Sequence, residues 1–349
     1  MTSPGGPVSA DQQADRHPGH VAGHQPGHQA GQGSWLDRRL LFFTGKGGVG
    51  KSTVAAATAL FAAERGKRVL LVEVDAKGNL TALFEHVPVG FAPVEVYPGV
   101  HAMQMRTEAS LREYLKLNLK VPVMGRLGPM ASMLEFVATA APGVKEILTI
   151  GKVCWEVRES IEGRADWDLV VVDAAATGHV LAQLDSPRAI RELVQVGPVR
   201  AQTDWMVELL ADPAITALNV VTTPEEMPVN ETIDLVGAAS AGLDVPLGSV
   251  VVNRVLPEPF TRADEPVFAA LRDPRAEEAL AARVGTGARA VLDAAGLAVA
   301  LRRSRAVHLA RLRASVDLPL VYLPFLFVRD HGLRVTRMVA EALADELGA

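Results

Sequence analysis

An apolar run, Leu40 to Thr44, passes directly into Gly45-Lys46-Gly47-Gly48-Val49-Gly50-Lys51-Ser52, and that loop into the alanine-rich stretch Thr53 to Arg65, closed by Gly66. The first run reads as a buried strand and the last as a helix. The four glycines between them let successive backbone N–H groups converge at the helix N-terminus, which makes an anion site. The spacing GxxxxGK[ST] adds a lysine and a hydroxyl suited to a polyphosphate and its divalent metal. On this reading the loop from Gly45 through Gly47, Gly48, Val49 and Gly50 to Thr53 cradles phosphate. Lys51 then neutralises the β and γ charge and Ser52 faces Mg²⁺. The expected ligands are ATP or ADP with Mg²⁺.

Two more apolar runs end in aspartate. Arg68 to Val74 is followed by Asp75-Ala76-Lys77-Gly78-Asn79-Leu80-Thr81, and Asp168 to Val172 by Asp173-Ala174-Ala175-Ala176-Thr177-Gly178-His179. Ligands of open α/β sheets bind at the carboxyl ends of strands. Asp75 is therefore placed to orient or deprotonate an attacking water, or else it caps the next turn. With a phosphate loop upstream, Asp173 reads as the carboxylate that holds the Mg²⁺ shell. Thr177 and Gly178 are candidates to sense the γ-phosphate. His179 reads as a switch residue rather than a base. Further unalternating runs of Val, Ile and Leu point to strands near 39–44, 68–74, 100–104, 168–173, 217–223, 248–253 and 319–323. Strands of that kind are covered on both faces. The fold class is α/β: a doubly wound, mostly parallel sheet with an inserted helical subdomain.

Composition removes several alternatives. The chain has 349 residues, 49% of them hydrophobic, and a net charge of −5, which argues against a general nucleic-acid binder. The single cysteine, Cys154, excludes a disulfide framework and a multi-thiolate metal site, and fits a reducing, cytoplasmic setting. No apolar run approaches the roughly 18 residues that a membrane span needs. Residues 1–36 hold Gly, Pro, Gln and four histidines (17, 20, 24 and 28) and almost no large apolar side chains. This tail reads as a flexible extension, with a weak transition-metal site as the alternative.

Taken together, these motifs resemble the arsenical-pump and guided-entry (tail-anchored-protein-targeting) ATPase family, with a nearest resemblance to actinobacterial anion-transporting ATPase proteins. The loop GKGGVGKS resembles the deviant Walker A loop, whose extra lysine, here Lys46, reaches the partner's nucleotide across a dimer. Asp75 and Asn79 match a switch I of the form DPxxNL, and Asp173 to His179 a switch II of the form DxAPTGH. Pro142-Gly143-Val144-Lys145-Glu146 resembles a PGxxE segment. Pro224, Glu225 and Glu231 resemble a segment near the dimer contact. The resemblance also implies that Asn253 and Arg254 read adenine and that Leu323-Pro324 starts the loop covering it. Ala76 and Ala176 stand where the family has proline, which loosens both switches.

The resemblance divides the chain into the tail (1–36), a nucleotide core with P-loop and switch I (37–102), a helical subdomain (103–164), a core segment with Asp173 and switch II (165–185), a second helical part (186–214), and the remaining core with the adenine site and C-terminal helix (215–349). Met103, Met105, Met124, Met130 and Met133 cluster in the first helical part, as packing or as an adaptable surface for apolar partners. Three functions stay open. One is Mg-ATP hydrolysis coupled to opening and closing of a dimer that handles an apolar client such as a membrane-protein segment, with a membrane partner. The second is a nucleotide-binding subunit of a heterodimer, active only with a paralog. The third is a metalloid or anion pump ATPase, disfavoured by the lone thiol.

Overall fold

In the computed structural model the described residues are 35–75, 78–85, 87–107, 109–113, 143–163, 167–258, 260, 261, 263–285, 287–328 and 332–348. The histidine tail, Ala76, Pro142 and the methionines at 124, 130 and 133 lie outside them.

Among the described residues, eight strands form one sheet: β1 (Leu40–Gly45), β2 (Val69–Glu73), β3 (Val94–Tyr97), β4 (Val100–Gln104), β5 (Leu169–Ala176), β6 (Thr216–Thr222), β7 (Leu247–Val255) and β8 (Leu320–Pro324). Their order is β3-β4-β2-β5-β1-β6-β7-β8. Every neighbouring pair is parallel except β3 with β4. The seven expected strands all form. β3 is additional: Val94-Glu-Val-Tyr97 alternates, packs partly exposed at the sheet edge, and returns on β4 through Pro98-Gly99. An alternating edge strand lacks the continuous apolar run by which the buried strands are recognised.

The sheet side chains feed two cores. Leu40 and Phe42 pack with Ile150, Val153 and Cys154 of α3 (Val144–Ile161), Val180 of α4 (Thr177–Leu193), Leu209 of α5 (Pro198–Ala211) and Val229 of α6 (Glu226–Gly242). Leu41 and Phe43 pack on the opposite face with α1 (Lys51–Ala63) and with Val339 and Leu343 of α10 (Leu333–Leu347). Helix α1 is buried from Val54 to Ala62, and its alanines let sheet and α10 approach closely. Met103 and Met105 belong to the first core, so these two are packing residues.

The described chain divides into two compact units. The larger holds the whole sheet and helices α1–α6, with α2 (Asn79–Leu83). Pro257–Val299 falls in the smaller, which comprises α7 (Glu265–Leu271), α8 (Pro274–Val284) and the first part of α9 (Ala288–Ser315). Within it Asp273 caps α8 by accepting from the Arg275 N–H, and Phe260 stacks on Phe268. In sequence, the five arginines of Leu301 to Arg313 read as a solvated helix face or as a docking surface for an acidic partner. In the structure Arg302 donates to the Leu256 carbonyl, and Arg305 to the Arg254 carbonyl and Glu225. No helix among the described residues is long and apolar enough to cross a membrane.

Candidate nucleotide-binding site

The loop after β1 takes its shape from glycine. Gly50 sits at φ 98°, just before α1, and a Cβ there would strike the Asn253 amide. At Gly45, φ 144°, a Cβ would strike the Val221 carbonyl oxygen. Gly47 and Gly48, by contrast, face open space, with nothing within 4 Å of a built Cβ. The loop is thus held from below by β6 and β7 and is clear above. Asn253 completes the support by donating from Nδ2 to the Val49 carbonyl at 2.9 Å.

The polar groups expected from the sequence meet here. Lys51 Nζ folds back to donate to the Lys46 carbonyl at 3.2 Å. Asp173, on β5 beside β1, is almost fully buried and hydrogen-bonds Ser52. Burial pushes its carboxyl up to about 6, against the Ser52 hydrogen bond and the Lys51 charge. Its Oδ1 is buried without a hydrogen-bond partner. Such an oxygen is costly unless a cation completes it. With a serine hydroxyl beside it and a lysine nearby, the donor set fits Mg²⁺ bound to a phosphate. Asp75 follows β2, half-buried, close enough to raise the Asp173 carboxyl by its charge. Thr44 Oγ1 donates to the Ala175 carbonyl at 2.8 Å and ties β1 to switch II.

Switch I docks on this centre through Asn79, whose Nδ2 donates to Ser52 Oγ at 3.2 Å. Sequence reading passed over Glu73, which sits one strand from Asp173 in register and is completely buried. Burial pushes the Glu73 carboxyl up, opposed by hydrogen bonds from Gln104 and from the backbone N–H groups of Asn79, Gly78 and Leu80. The available signal was a carboxylate at an inward strand position of an otherwise apolar run.

Lys46 forms an ion pair with Glu231 of α6, within the same chain. Thr177 Oγ1 donates to the other oxygen of Glu231 at 3.4 Å, so the extra lysine and switch II share one carboxylate. Gly178, exposed, follows Thr177 at the start of α4. Thr53 lies in the first turn of α1. Glu225 is the N-cap residue of α6 and pairs with Arg305. Arg254 takes the left-handed conformation, φ 59°, next to Asn253. Pro324 ends β8 beside Val255, and the Phe325 and Phe327 rings meet tilted beyond it, with Phe327 exposed. Asn253 and Pro324 thereby border one end of the sheet, on neighbouring strands.

A parallel sheet whose first strand feeds a glycine loop and helix, with a strand-end aspartate against the loop serine, defines a P-loop nucleotide-binding protein. The sequence model of the anion-transporting ATPase family matches residues 38–207 and 192–273, and the chain belongs to that family of ATPases. It is 37% identical over 225 residues to the ATPase BagA of Mycobacterium tuberculosis, an alignment covering 63% of this chain and 66% of that protein, just under two thirds of its length. It is 30% identical over 259 residues to an arsenical pump-driving ATPase of Escherichia coli, covering 69% of this chain and 43% of that one. With the ATPase ASNA1 homolog of Entamoeba histolytica it shares 25% identity over 262 residues, 62% of this chain and 76% of the other.

Away from the nucleotide site, a cavity of about 270 Å³ opens between residues 110–113, α3, the Ile190 end of α4, and α5. Ile147, Trp155, Trp205 and Met206 give it an apolar wall. Lys152 enters it with its charge held by Glu113 and Glu156, at 2.8 and 2.7 Å. Burial pushes the Lys152 ammonium down, and the two carboxylates more than offset that and hold it above its ordinary value.

Proposed function

We propose that the protein hydrolyses Mg-ATP as a dimer and couples the cycle to exposure of an apolar surface on α3–α5. The unpartnered Asp173 oxygen beside Ser52, under an open glycine loop, is the observation that carries the hydrolysis reading. The loop amides and Lys51 bind phosphate, and Ser52 with Asp173 holds Mg²⁺. Bound there, the ion neutralises charge on the phosphate oxygens. Asp75 orients the attacking water. Thr177 and Gly178 sense the terminal phosphate. Asn253 and Arg254 take the adenine, with the chain after Pro324 as cover. Lys46 leaves Glu231 to act across the interface, where Glu225 and Glu231 lie. An added cation of this kind is worth about 10³ to 10⁵ in rate in related chemistry.

The apolar cavity supports a client of apolar protein segments, including those bound for membranes, with the cytoplasm as the setting. Intact Lys46, Lys51, Asp75 and Asp173 are equally compatible with a subunit that turns over only beside a paralog. A metalloid pump fits poorly: Cys154 is buried and one thiol cannot bind trivalent arsenic as several do. Turnover per subunit against protein concentration tests the main reading. A rate that rises with concentration and collapses in Lys46→Ala is expected of a homodimer. A rate near zero at every concentration refutes self-sufficient turnover and directs the search to a paralogous chain.

A further inference from the structure

Helix α2 begins at Gly78, φ 75°, and has no side-chain cap of its own. The first N–H groups of any helix lack partners within it. Here they turn to Glu73, which is close in sequence but lies in the strand before. Asn79 N donates to Glu73 Oε1 at 2.8 Å, and the Gly78 and Leu80 N–H groups also hydrogen-bond this carboxylate. The second oxygen accepts from Gln104 Nε2, on β4, at 2.7 Å. Glu73 shares strand parity with Val69 and Leu71, which pack in the α1 core, so its carboxylate is directed to the side on which the phosphate-loop helix lies. A fully buried carboxylate is retained only when such donors surround it. The backbone N–H groups at the start of α2 thereby converge on one side chain. From the same residue, Asn79, the amide reaches on to Ser52 Oγ, and Ser52 to Asp173.

We propose that Glu73 is a positioning residue for ATP hydrolysis: by holding the first turn of α2 it sets Asn79 against Ser52 and fixes where Asp75 points. The inference rests on the hydrolysis reading for its kinetic part alone. It is independent of Lys46 and of the dimer. Gln104, at the end of β4, holds the far oxygen and makes the clamp rigid from the neighbouring strand.

The test uses the full-length protein with Glu73→Ala, Glu73→Gln and Glu73→Asp, read two ways. Amide hydrogen exchange without nucleotide should accelerate more than tenfold over 78–83 in Glu73→Ala while 69–72 and 53–62 stay protected. Steady-state ATPase assays should show kcat lowered about tenfold or more with KM for Mg-ATP within threefold. Glu73→Gln keeps the size and one acceptor, and should recover part of both losses. Glu73→Asp, one methylene short, should recover less. Should Glu73→Ala fail to fold, the Gln and Asp variants carry the same comparison. Unchanged exchange over 78–83 overturns the proposal. So does faster exchange with unaltered kcat, which would make Glu73 a stability residue only. A wild type that hydrolyses no ATP refutes the proposed function instead, and the exchange data then decide the Glu73 clamp without it.

Discussion

At the scale of single residues, the site stores an electrostatic imbalance centred on the buried Asp173 carboxyl. Asp173 is raised to about 6 by burial, above the ordinary aspartate value of 3.8. The folded state therefore binds this proton more tightly than the unfolded chain, and its cost to stability appears as pH rises through the window from 3.8 to 6. Above that window the cost is complete, on the order of 2–3 kcal/mol. Asp173→Asn should accordingly raise the melting temperature of the nucleotide-free protein at pH 7, and should abolish the added stabilisation by Mg-ADP, both read by thermal melts. Lys46 tells the opposite story. Its pair with Glu231 is partly exposed, and such pairs contribute no more than about 1 kcal/mol. Lys46→Ala should leave the urea midpoint nearly unchanged while turnover falls by about 10³-fold. A loss of stability matching the loss of turnover would contradict an in-trans role.

At the scale of elements, two glycines in one loop separate folding from binding. Gly50→Ala puts a Cβ at φ 98° against the Asn253 amide, and should destabilise the protein by about 1–3 kcal/mol. Gly47→Ala meets open space, so it should melt as wild type and yet lose nucleotide affinity by blocking the phosphate position. Thermal melts beside fluorescent-nucleotide titrations distinguish the two. The loop and the strand-end aspartates were legible because their chemistry demands particular residues at fixed spacing. Glu73 was legible only as a carboxylate in an apolar run, because the sequence does not say that Gly78 leaves α2 uncapped and turns its first N–H groups to that side chain. The anchoring of the Arg254 loop by Arg302 and Arg305 escaped for a similar reason: a basic run on a helix looks solvated until its neighbours are known.

At the scale of the whole molecule, the α/β architecture and seven of its strands followed from continuous apolar runs, since double-faced burial imposes them. The separation of 257–299 as a unit left no comparable signature, because its helices α7 and α8 bury few large side chains. The single thiol offers a probe of the larger unit. Cys154 is fully buried in the α3 core and burial pushes its thiol far up. A maleimide reagent should label it only at the rate at which that core opens, so the labelling half-life should shorten steeply with denaturant and lengthen with Mg-nucleotide. Rapid labelling of the folded protein would mean that α3 detaches from the sheet.

Helix α4 starts at Thr177, directly after β5, and runs seventeen residues to Leu193. One end meets the carboxylate shared with Lys46; Ile190, near the other, lines the apolar cavity. At about 1.5 Å per residue the two points are roughly 20 Å apart. Over that length a tilt of about 3° at the phosphate end corresponds to about 1 Å at the cavity wall, but Pro187, inside the helix three residues before Ile190, removes a backbone hydrogen bond on the way. With no loop between strand and helix, α4 is anchored directly to the end of β5, and Pro187 is the place along it where a tilt can be absorbed.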